Sequence, residues 1–119
     1  MKFVVVGQHR SEYPQPITFA RGAELVIGER YDGEEGWDNW FFCTTPGQQG
    51  GWVPGQIIER LEGDRGRALE AYCARELDVE SGDRLEGDRQ LNGWVWCCNT
   101  NTAEEGWVPL AVLRQVAEA

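Results

Sequence analysis

Apolar residues in this chain fall in short runs set apart by glycine, asparagine and aspartate, and almost none of it carries a helical period. The runs Phe3–Val6, Glu24–Ile27, Trp40–Cys43 and Gly51–Pro54 predict strands in the first half. Ala68–Tyr72, Asp83–Glu86, Trp94–Cys98 and Glu105–Val108 echo them in the second. Short strands at regular spacing, with turn signals between them, predict an all-β fold of small barrels. The charged, glycine-bearing segment Arg60–Gly66 is expected to be a linker. Leu110–Ala119 is the one stretch that reads as helical, as a single turn with a tail.

The echo is an internal duplication. Gly-Trp-Val-Pro occurs at Gly51–Pro54 and again at Gly106–Pro109, and each copy follows an aromatic block, Trp40–Cys43 or Trp94–Cys97. Trp40 lies fourteen residues before Pro54 and Trp94 fifteen before Pro109. The 119 residues therefore divide into two modules, 1–60 and 65–119. Modules this small bury only roughly 60% of the surface their unfolded chains expose, which leaves little core for a deep catalytic cavity. Gly22 and Gly82 each sit three residues after an apolar residue, where a diverging turn demands positive φ. Pro54 and Pro109 are expected to end strands, because proline cannot donate to a ladder. Ile57, Ile58, Val112 and Leu113 supply apolar side chains to close the barrels.

Charge narrows the partners. A net charge of −9 opposes binding to a phosphate backbone or an anionic membrane. The longest N-terminal apolar run, Phe3–Val6, is too short for a signal peptide or a membrane span, so a cytoplasmic address is expected. Four cysteines are then expected to be thiols, with Cys43 and Cys97 at equivalent repeat positions as small buried packing residues. Their spacing does not suit a zinc site, and His9 is the only histidine. No nucleophile stands in a recognisable motif with a histidine, and no glycine-rich phosphate loop follows a strand and opens a helix. A non-enzymatic protein without a cofactor is expected.

The ordered motifs resemble an SH3 domain, twice over. Ala68-Leu69-Glu70-Ala71-Tyr72 is similar to the family's opening strand, and Glu76–Asp83 to its diverging turn. Gly93-Trp94-Val95-Trp96 and Gly106–Pro109 are similar to two later family blocks. The first half matches through Ile17–Gly22, Trp40 and Gly51–Pro54. The arrangement is similar to the tandem variant SH3 proteins of bacteria. The resemblance implies two SH3-like barrels that bind extended, proline-rich segments on an aromatic groove, since a preformed polyproline helix loses little entropy on binding. The groove tryptophan corresponds to Trp40 and Trp94, the strand-ending proline to Pro54 and Pro109, and one opening-strand tyrosine to Tyr72. Glu70 stands at the other opening tyrosine, and Ile57 and Val112 at a later one.

Departures from the repeat point to the first module as the binding one. Its loop 7–16 carries Tyr13, Pro14 and Pro16, and its loop 29–39 carries Glu34, Glu35 and Trp37. With Trp40 these would combine an aromatic floor with an acidic rim, suited to a protein or peptide that is proline-rich or basic. The expected function is a non-catalytic protein-interaction module, monomeric or weakly dimeric. The alternative is a structural adaptor or homodimer whose aromatic faces are buried. Trp52 and Trp107 are expected to serve packing, and His9 to be a solvated loop residue.

Overall fold

The computed structural model describes residues 1–11, 15–32 and 39–117. The expected site residues Tyr13, Glu34, Glu35 and Trp37 lie outside them. The described chain is all-β, with two short 3-10 turns, Gly55–Ile57 and Leu110–Val112. Its strands are β1 (Lys2–Val5), β2 (Thr18–Phe19), β3 (Glu24–Arg30), β4 (Trp40–Thr44), β5 (Gly51–Pro54), β6 (Ile58–Arg60), β7 (Arg65–Ala68), β8 (Tyr72–Cys73), β9 (Arg84–Leu91), β10 (Trp94–Asn99), β11 (Glu105–Pro109) and β12 (Leu113–Val116).

Two five-stranded antiparallel sheets result, in the orders β11-β10-β9-β1-β12 and β5-β4-β3-β7-β6, and β2 pairs with β8. The pairing groups the chain into an inserted unit, Gln15–Ala74, and a flanking unit, Met1–Pro14 with Arg75–Ala119. This grouping differs from the division at 1–60 and 65–119 that the repeat suggests. β1 pairs with β9 and β12 of the second repeat, while β7 takes the matching place between β3 and β6 of the first. Each repeat's opening strand thus completes the sheet built by the other repeat.

The local cause lies in the segment expected to be a linker. Gly63 adopts φ 60°, Arg65 N–H donates to Glu62 O at 3.1 Å, and Leu61 N–H donates to Arg65 O at 3.0 Å. A turn this tight makes β6 and β7 antiparallel neighbours, so β7 is captured by the sheet it has just left. The expected strand at Ala68–Tyr72 is accordingly split between the end of β7 and the start of β8. The helical reading of Leu110–Ala119 is also corrected, to a 3-10 turn followed by β12.

Other expectations hold. Gly22 and Gly82 adopt φ 87° and 96°, and the two prolines end β5 and β11. Alternation along β10 sends Val95 and Cys97 into a core shared with Phe3, Val5, Leu77, Val79, Leu85 and Val108. In the inserted unit Ile17, Leu25, Ile27, Cys43, Val53, Ile57 and Ala68 are buried. β9 and β10 meet through Asn92-Gly93, both at positive φ, the pair that a two-residue hairpin favours.

Candidate functional site

In the inserted unit, Cys43 and Val53 point inward, so the intervening side chains of β4 and β5 stand on the outer face. Register pairs Trp40 with Pro54 and Phe42 with Trp52 on that face. The Trp52 indole is wedged edge-on between Tyr31, at 5.2 Å between ring centroids, and Phe42, at 5.4 Å. Tyr72 arrives from β8 and donates its hydroxyl proton to the Trp52 carbonyl at 3.2 Å, while its ring lies 5.7 Å from Phe19. β2 is held by a side chain acting as a strand. Thr18 N–H donates to Gln48 Oε1 at 2.9 Å, and Gln48 Nε2 donates back to Thr18 O at 2.6 Å. The 3-10 turn after Pro54 is fixed by Asn39, whose backbone carbonyl accepts from Gly55 N–H at 2.8 Å and whose amide donates to Gln56 Oε1 at 3.1 Å.

The flanking unit places different chemistry at the matching positions. His9 pairs with Val79 as Tyr72 pairs with Phe19, so His9 stands where Tyr72 stands in the inserted unit. It is not a solvated loop residue. Its Nε2 lies 2.7 Å from Glu76 Oε1, both side chains are mostly buried, and its ring meets Trp94 edge-on at 5.5 Å. Trp94 pairs with Pro109, as Trp40 pairs with Pro54. Trp96 packs edge-on against Trp107 at 5.4 Å, and its indole N–H donates to Glu105 Oε2 at 3.3 Å.

Trp40 and Trp94, the groove tryptophans that the resemblance implies, are only 6% and 9% exposed, so their indoles form a floor. Trp107 packs as expected, at 6%, whereas Trp52 is half-buried. Trp52 and Phe42 join this aromatic face although the sequence reading did not place them there. Strand alternation held the signal for Trp52, since a buried Val53 requires its neighbour to face the other way. Tyr72 shares a unit with Trp40 and Pro54 rather than with Trp94 and Pro109.

Among the described residues no three His, Cys, Asp or Glu side chains form a metal-binding group, and no helix is long and apolar enough to cross a membrane. Burial pushes the Cys43 thiol up to about 11. Burial first, then the Asp88 charge, pushes Cys97 up to about 12. At pH 8 about one Cys43 in a thousand is then a thiolate, and the thiolate is the nucleophile. Iodoacetamide on the native protein is expected to alkylate the half-buried Cys73 and Cys98 and to spare Cys43 and Cys97. Peptide mass mapping checks this, and rapid labelling of Cys43 would contradict the packing role.

The sequence profile of the variant SH3 domain matches residues 2–61. That span follows the sequence repeat, whereas the strand pairing follows 15–74. The SH3 and PX domain-containing protein 2B of Mus musculus and its namesake in Homo sapiens are each 28% identical to the chain over 130 residues, covering 96% of it. The chain spans 13% of the length of these relatives. No solved structure matches the chain with significance.

Proposed function

Since the chain belongs to the variant SH3 domain family, whose domains generally mediate protein–protein interactions, we propose that it is a non-catalytic interaction module working through the inserted unit. The ligand face is the outer surface of β4 and β5, with Trp52 as the accessible anchor, Phe42, Tyr31 and Tyr72 around it, and Trp40 and Pro54 beneath. One observation carries this reading: the Tyr72 hydroxyl bonds to the Trp52 carbonyl within an aromatic cluster in which Trp52 is only half-buried. The flanking unit has no tyrosine at that place, and its His9 is committed to Glu76 and Trp94.

The partner is an extended protein segment with an apolar or proline anchor beside Lys or Arg. The aromatic wedge takes the anchor, and the net charge of −9 favours the basic flank. As a pair of SH3-like barrels the protein is similar to tandem variant SH3 proteins of bacteria. Its four thiols fit a reducing compartment such as the cytoplasm.

Fluorescence titration with a panel of proline-rich peptides, with and without flanking arginines, tests the reading. Binding near micromolar is expected, about −8 kcal/mol. Trp52→Ala is expected to weaken it about tenfold, or about 1.4 kcal/mol, and added salt to weaken the arginine-flanked peptides most. The burial of Trp40, Trp94 and Trp107 favours a second reading, a homodimeric or adaptor protein whose aromatics serve structure. Peptide affinity indifferent to Trp52→Ala, together with a sedimentation coefficient that rises with concentration, would select it.

A further inference from the structure

The exchange of opening strands follows a pattern of side-chain size at four positions. In the flanking unit, β1 sets Phe3 opposite Leu85, and Phe3 covers Gly87 two residues along. A Cβ placed on Gly87 would meet Val95 Cγ1 at 2.6 Å and Phe3 Cε2 at 2.8 Å. In the inserted unit, β7 sets Gly66 opposite Leu25, so Gly66 matches Phe3, and Ile27 matches Gly87. A Cβ placed on Gly66 would meet Ile27 Cδ1 at 2.9 Å and Ile58 Cγ2 at 3.1 Å. One sheet has the large residue on the opening strand and glycine on its neighbour. The other has the reverse.

Pairing each opening strand with its own repeat would break both matches. Phe3 would enter space that Ile27 and Ile58 already fill, and Gly66 would face Gly87 across a phenyl-sized void. Overpacking and cavities both destabilise a close-packed core. Hydrophobic pattern does not distinguish the two pairings, because both opening strands alternate with the same period. Size does.

We propose that the reciprocal size match, Phe3 with Gly87 and Gly66 with Ile27, selects the exchanged strand pairing. The same match decides which barrel receives which aromatic, since it delivers Tyr72 to the Trp52 face and His9 to the Trp94 face.

The test is made in the full chain. In the Ile27→Gly/Gly87→Ile variant the sizes favour the contiguous pairing. Backbone cross-strand NOEs from Val4 are expected to move from Arg114, its present partner, to Glu59, the present partner of Arg67. A folded double variant that keeps the Val4–Arg114 contact overturns the proposal. A gentler pair covers the case in which that variant does not fold. Gly87→Ala is expected to lower hydrogen-exchange protection of the β9 amides about tenfold in the native background, but only about threefold once Phe3→Ala has opened the site. Equal losses in the two backgrounds overturn it as well.

Discussion

Residues 15–74 expressed alone are expected to give a dispersed amide spectrum and one cooperative unfolding transition, whereas residues 1–60 are expected to remain unfolded. The first fragment contains both β2 and β8 and every strand of the sheet β5-β4-β3-β7-β6, with its chain ends at the arms of one loop. The second follows the sequence repeat but lacks β7, an inner strand with three register pairs to β3 and three to β6. Each ladder bond contributes about 1 kcal/mol net. A unit of this size has only about 3–9 kcal/mol in all, so losing a central strand exceeds its margin. The one available substitute within 1–60 is β1, whose Phe3 would fall at the place of Gly66, where even a Cβ would meet Ile27 Cδ1 at 2.9 Å. Circular dichroism and a proton–nitrogen correlation spectrum of each fragment decide the matter. A folded 1–60 beside an unfolded 15–74 would falsify the unit boundaries. Because Tyr72 and Trp52 both lie in 15–74, that fragment is also expected to retain the peptide affinity.

Much of this architecture was legible in the chain, and what was not has a common cause. Strand positions, the positive φ at Gly22 and Gly82 and the strand-ending prolines are local properties, readable from period and turn chemistry. Which sheet a strand joins is a non-local property. β1 and β7 share a period and a place in the repeat, so pattern alone assigns each to its nearest sequence neighbours. The four-residue turn at 61–64 and the inverted sizes of Phe3 and Gly66 carry the missing information, and both are visible only when the repeats are compared position by position. The aromatic face shows the same limit. Alternation tells which side of β5 Trp52 occupies, but the accessibility of Trp52 depends on Tyr31, Phe42 and Tyr72, which arrive from separate elements. His9 was misjudged for the same reason, because Glu76 and Trp94 are distant in the chain.

Substituting the glycine of the second Gly-Trp-Val-Pro block is expected to have the largest effect of any single methyl addition in the flanking unit. A Cβ on Gly106 would sit 2.8 Å from Leu77 N, 3.0 Å from Glu76 C and 3.1 Å from Arg75 O. These are backbone atoms, so no side chain can rotate away. They belong to the arm tied to β11 by Leu77 N–H to Trp107 O at 3.0 Å and Trp107 N–H to Arg75 O at 2.8 Å. Relieving the overlap stretches both bonds, and overpacking with the partial loss of two hydrogen bonds amounts to about 3 kcal/mol. The matching Gly51 lies under a side chain instead, since its Cβ would meet Ile17 Cγ2 at 2.7 Å and Ile17 Cβ at 3.1 Å. The motif's glycine is therefore set by the close approach of a loop arm in both units, and in the second the contact is with backbone. Gly82→Ala provides the contrast: φ is 96° there but nothing lies within 4 Å, so only the left-handed strain of about 1 kcal/mol is expected. Urea unfolding of the two variants, read from flanking-unit amides, measures the difference. A cost at Gly106 no greater than at Gly82 would mean that the loop arm yields, and that the repeated glycine owes its place to something other than this contact.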